Sequence, residues 1–186
     1  MHELSRYDKA KVIDALNERL TFERAGVKLY DRILEVIRAQ GDERVGRMLP
    51  EMEKHRAEEK EHEEWLEAQI RALGGDAHGE TERSRLVKRE SKGIEEVVMS
   101  EAELPHLFHA LLAAELVDNA GWDLLSSLAD EAGDRDAKRE FKKRLHEEED
   151  HLAFVRKVVE RFSVRDVLGE EKPLPKRTMA DLMPGH

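Results

Sequence analysis

A chain of 186 residues is long enough for one domain with a single sizeable core. Charged residues make up 40% and aromatics 5%, which suits long solvated helices rather than sheets, while 39% hydrophobic residues argue against disorder throughout. A formal net charge of −10 disfavours nucleic acid and anionic membrane as partners, and the lack of cysteine excludes disulfides, zinc knuckles, iron–sulfur clusters and a rubredoxin-type iron site.

Helical periodicity marks four long segments, so the expected fold class is all α. The first covers about residues 8–40, with the stripe Ile13, Leu16, Leu20, Glu23, Val27, Tyr30, Leu34, Ile37, and stops at Gly41 before Asp42 as the next N-cap. The second covers about residues 43–73, striped by Met48, Met52, His55, Glu59, His62, Leu66, Ile70 and Leu73. Pro50 inside it predicts a kink or a later start. Residues 74–102 form a long polar connection, locally basic at Arg83, Arg85, Lys88, Arg89 and Lys92, with room for a short helix over 94–98.

The third long helix begins near Leu104-Pro105, proline being tolerated in a first turn. Its stripe is Leu104, Phe108, Leu111, Glu115, Asp118, Trp122, Leu125, Leu128, and Gly133 breaks it. The fourth covers about residues 135–162, striped by Phe141, Leu145, Glu148, His151, Leu152, Val155, Val159 and Phe162. The expected domains are a helical body over 1–162 and an extended or partly disordered tail over 163–186, where three of the five prolines lie. No apolar run reaches the roughly 18 residues of a spanning helix, and MHELSRYDKAK has no apolar h-region, so a cytoplasmic location is expected.

The order is hairpin, long connection, hairpin, and the two hairpins are copies of each other. Glu23 and Tyr30 match Glu115 and Trp122 at an offset of 92 residues, and EEKEH at 58–62 matches EEEDH at 147–151 at an offset of 89.

Each stripe carries an acid where an apolar residue belongs. A carboxylate buried alone costs several kcal/mol, so four of them in one core require positive charge between them. In a helical hairpin, residues equidistant from the turn sit at one height. Glu23 and Glu59 are equidistant from Gly41, and Glu115 and Glu148 centre within one or two residues of Gly133. His62 follows Glu59 by three residues and His151 follows Glu148 by three, which puts each pair on one helix face. One such pair is weak evidence in a Glu-rich chain; two, each level with a stripe acid, make a constellation. Four carboxylates and two neutral imidazoles carry a charge of −4, enough for two divalent cations, and these donors suit iron first, manganese next, and also zinc.

A Glu from each of two helices with Glu-x-x-His from each of the other two resembles the ferritin-like di-iron and di-manganese carboxylate proteins. Within them it resembles the bacterioferritin and rubrerythrin branch, over about residues 10–162. The resemblance implies a four-helix bundle with one long crossover. It also implies metal bridged by Glu59 and Glu148, with Glu23 and His62 completing one ion and Glu115 and His151 the other. The activity implied is ferroxidase- or peroxidase-like oxidation, with O₂ or H₂O₂ as substrate, an external electron donor, and a homodimer or higher homo-oligomer as the assembly. Iron storage, or a metal-binding bundle without turnover, are the alternatives. Rubrerythrins carry an extra acid one turn after the position of Glu115. Here it is Asp118, whose shorter side chain leads us to expect it to orient a ligand histidine rather than bind metal. His55, on the second stripe, is read as a hydrogen-bonded or partly exposed histidine, with a ligand or supporting role as the alternative. Tyr30 and Trp122 are read as core packing, and His106, His109 and His146 as surface residues.

Overall fold

The computed structural model describes residues 1–176, and among these the chain is all helical, with seven α-helices and no strand. They are α1 (Lys9–Gln40), α2 (Glu43–Gly46), α3 (Leu49–Ala72), α4 (Glu82–Glu90), α5 (Lys92–Ser100), α6 (Leu104–Glu131) and α7 (Arg135–Leu168), preceded by a 3₁₀ turn at Leu4–Arg6. No helix among them is long and apolar enough to cross a membrane.

The ends are set by local chemistry. Asp8 caps α1 by accepting from the Lys11 N–H at 3.1 Å, and Asp134 caps α7 by accepting from Ala137 at 3.0 Å. Gly41 ends α1 at φ 62° and Gly169 ends α7 at φ 68°, a left-handed backbone that a side chain strains. Pro50 marks a later start rather than a kink. The chain leaves α2 at Gly46 and resumes as α3 with the proline in its first turn, where its missing N–H costs nothing.

Two expectations need correction. The connection holds two helices, not one, because Thr81 and Ser84 form a capping box that starts α4 on the basic stretch. The fourth helix also continues through 163–168, since Ser163 to Leu168 contain no proline or glycine to stop it before Gly169. The tail is therefore non-helical only from 169 among the described residues, and the rest of that expectation, over 177–186, lies outside them.

Helices α6 and α7 fold back on each other across residues 132–134, and α1 and α3 do so across α2. The pairs meet through α1 on α6 and α3 on α7, while α4 and α5 lie against α1. The core divides into two apolar clusters. One gathers Phe22, Ile33, Ile37, Met52, Phe108, Leu111, Phe154 and Phe162; the other gathers Leu16, Leu20, Leu66, Ile70, Trp122, Leu125 and Phe141. Leu128, expected in the stripe, is 40% exposed, and Ala129 takes the buried position. Between the clusters lies a layer of buried acids and histidines. Apolar packing on both sides shields that layer from solvent.

Candidate metal centre

All six residues singled out by spacing, Glu23, Glu59, His62, Glu115, Glu148 and His151, are buried and come together. Three overlapping sets place one donor atom from each member within 4.8 Å of the others: Glu59, Glu115, Glu148 and His151; Glu23, His62 and Glu148; and Glu23, Glu59, Asp118 and Glu148. Glu148 stands at the middle. Its Oε1 lies 2.9 Å from His62 Nδ1 and its Oε2 lies 3.4 Å from His151 Nδ1, so one carboxylate faces both histidines, one oxygen each. His62 Nδ1 is also 3.4 Å from Glu23 Oε2, and His151 Nδ1 is 3.3 Å from Glu59 Oε1 and 3.9 Å from Glu115 Oε2.

These close approaches lack hydrogen-bond geometry and are ion pairs only when the imidazoles are protonated. Glu23 Oε2, Glu59 Oε2, Glu115 Oε2, both oxygens of Glu148, Asp118 Oδ1 and the Nδ1 atoms of His62 and His151 are buried and take part in no hydrogen bond. Donor atoms that converge at 2.9 to 3.9 Å without bonding each other have the separations of ligands around a shared cation. Bonds of about 2.0–2.2 Å at right angles put neighbouring ligands about 3 Å apart. The residues therefore could hold a metal ion.

The outward nitrogens have their own carboxylates. His62 Nε2 faces Glu147 Oε2 at 2.9 Å, and His151 Nε2 faces Glu58 Oε2 at 3.0 Å. A carboxylate there accepts an Nε2–H and leaves the Nδ1 lone pair pointing inward. Sequence reasoning missed both acids, although the doubled Glu of EEKEH and EEEDH signals them. Each serves the histidine of the other hairpin, a crossing that no spacing reveals.

Tyr30 and Trp122 do more than pack. The Tyr30 hydroxyl donates to Glu115 Oε1 at 2.6 Å, and the Trp122 indole N–H donates to Glu23 Oε1 at 2.8 Å. Each holds one oxygen of an acid from the opposite hairpin, so the other oxygen faces inward. Along its own helix each is about 10 Å from its repeat glutamate at 1.5 Å per residue, which hid the contact.

Asp118 departs from expectation: among the described residues its partner is a buried arginine, not a ligand histidine. Arg19 Nη2 lies 3.3 Å from Asp118 Oδ1, Arg19 Nη1 donates to the Asp118 carbonyl at 3.3 Å, and Arg19 Nε lies 3.4 Å from Glu23 Oε1. Arg19 was overlooked because it lies between Leu16 and Leu20, although it stands one turn before Glu23. His55 is fully buried, its Nε2 faces Glu51 Oε1 at 3.2 Å, and its ring lies 4.2 Å from the His151 ring. The expected surface histidines His106, His109 and His146 are exposed.

Comparison of the chain with protein-family models, curated proteins and solved structures finds no match.

Electrostatics follow from burial. Desolvation pushes Glu115 up to about 8, with the neighbouring Glu148 charge adding to the rise. Desolvation raises Glu59 and Asp118 well above the ordinary range too, helped by Glu148 beside Glu59 and Glu23 beside Asp118. Against burial, the surrounding carboxylates raise His62 and His151 well above the usual imidazole range. Glu148, between two imidazoles, is held low in spite of its burial. Burial and the nearby His151 lower His55 to about 4, so it is neutral. The protein alone thus gathers protons within this layer.

Proposed function

We propose that the chain is a ferritin-like four-helix bundle that holds two metal ions and uses them to activate O₂ or peroxide, as a ferroxidase- or peroxidase-like oxidoreductase. The observation that carries this reading is the set of buried carboxylate and imidazole atoms that face one another without hydrogen bonds. Crowding four carboxylates around two imidazoles in an apolar core is costly, and cations between them lower that cost. Iron or manganese suits the donors, with zinc as the redox-silent alternative.

Two redox-active ions held by these residues would supply two electrons, enough to reduce O₂ to peroxide or peroxide to water with protons taken from solvent. The chain's own residues do the rest. Glu148 spans both positions, and Glu59 belongs to donor sets on both sides. Glu58 and Glu147 hold the histidine protons on Nε2, and Tyr30 and Trp122 fix the terminal glutamates. The apolar clusters above and below keep bulk water out. An external electron donor closes the cycle.

Elemental analysis of the purified protein, followed by stopped-flow mixing of the reduced, iron-loaded chain with O₂ and with H₂O₂, tests the proposal. About two metals per chain and rapid consumption of either oxidant are expected. Two metals with no consumption leave a binding bundle, and no metal overturns the reading.

A further inference from the structure

The two halves of the centre are copies in sequence but not in chemistry. On α1 and α6, where Glu23 corresponds to Glu115, Gly26 corresponds to Asp118 and Arg19 to Leu111. On α3 and α7, His55 corresponds to Arg144. The differences fall on opposite sides of the layer.

On the Glu23 side, Asp118 adds a carboxylate. One of its oxygens falls within 4.8 Å of oxygens of Glu23, Glu59 and Glu148, and its buried Oδ1 takes no hydrogen bond. Arg19 bears on this acid by its side chain and its carbonyl, and α6 makes room for it: a Cβ at Gly121 collides with the guanidinium. A glycine inside a helix costs about 1 kcal/mol against alanine, so the arrangement is built at the expense of helix stability. The other half has no such acid. Gly26 has no side chain, and the Glu59 carboxylate fills the space a Cβ needs. On that half His55 lies against His151, but it shares a donor set only with Glu58 and His151 and with none of Glu59, Glu115 or Glu148.

Carboxylate oxygen suits manganese and other hard cations, whereas imidazole nitrogen suits iron, zinc and softer ions. Resting on the two-cation reading above, we infer that the two positions differ in metal preference. The Glu23–His62 position, enriched in oxygen by Asp118, takes the harder ion, and the Glu115–His151 position takes the softer one. The pair the chain selects is mixed, manganese beside iron. Arg19 is a positioning residue here: it aims Asp118 and offsets its charge, so that the extra oxygen does not overload the core with negative charge.

The test uses the full chain, stripped of metal and equilibrated without oxygen in equimolar Mn²⁺ and Fe²⁺, each in excess. After desalting, both metals are counted, and the EPR signal of Mn²⁺ reports whether it sits beside a second paramagnetic ion. About one of each per chain is expected from the parent. This is not a default result, because Mn²⁺ binds most sites more weakly than Fe²⁺. Asp118→Asn keeps the shape of the side chain and is expected to lower the bound Mn-to-Fe ratio about tenfold. The double variant Arg19→Leu with Asp118→Gly, which gives the first half the residues of the second, is expected to do the same. Equal ratios in parent and variants, or two Fe and no Mn in the parent, overturn the inference and leave the two-cation reading standing. A parent that takes up neither metal overturns that reading itself.

Discussion

Removing the cations should make the protein less stable as pH rises through neutrality, the reverse of what most carboxylate-rich proteins do. Glu115 is raised from 4.5 to about 8, so between those values the native chain holds a proton that the unfolded chain has released. Stability then falls with rising pH, by about 1.4 kcal/mol per unit for each such proton. Glu59 and Asp118, also raised, act with the same sign. So do His62 and His151: their contribution is complete below the ordinary value of 6.5 and is lost as pH climbs through their raised native values. Two groups oppose: Glu148, being lowered, contributes above 4.5 and loses its effect on the acid side, outside this window, whereas His55, lowered to about 4, adds stability as pH rises toward its ordinary 6.5 and offsets about one of these protons in the lower half of the window. One proton over two pH units, from about 5.5 to 7.5, amounts to roughly 3 kcal/mol. At about 2–4 °C per kcal/mol for a chain of this size, the melting temperature of the chelated protein should drop by roughly 6–12 °C. Bound metal, which displaces these protons, should weaken or reverse the trend, and at a hundredfold excess over Kd it adds about 2.7 kcal/mol. Denaturant melts at several pH values, with chelator and with metal, measure both. A chelated protein whose stability is flat or rises from pH 5.5 to 7.5 refutes the reasoning.

Glu59→Ala and Glu148→Ala should each remove most of the metal, since both acids belong to donor sets on both sides, whereas Glu23→Ala should deplete one ion more than the other; elemental analysis of the three decides. Glu58→Gln and Glu147→Gln should keep the fold and weaken metal affinity about 10- to 100-fold by loosening His151 and His62, read by competition with a chromogenic chelator. Gly26→Ala collides with the Glu59 carboxylate and should lower metal content at unchanged helicity, although alanine is the better helix former. If Gly26→Ala binds metal like the parent, Glu59 does not lean on that backbone.

Much of the site was legible because helices keep strict periods. An acid on an apolar stripe is anomalous at any helix angle, and equal distance from Gly41 sets Glu23 level with Glu59 before any packing is known. The all-α class, the six candidate ligands and the doubled motif follow from that one regularity. What lay across the bundle was not legible. Tyr30 and Trp122 reach acids of the opposite hairpin, and Glu58 and Glu147 exchange histidines, because side-chain partners between helices depend on rotation about the helix axes, which sequence spacing leaves open. The Asp118 expectation failed for the same reason: its period aimed it at the centre, but the packing of α1 on α6 brought Arg19 to it first. Periodicity within each helix thus determined which side chains face inward. Only the tertiary structure decided which of them meet, because that choice belongs to pairs of helices and not to any one of them.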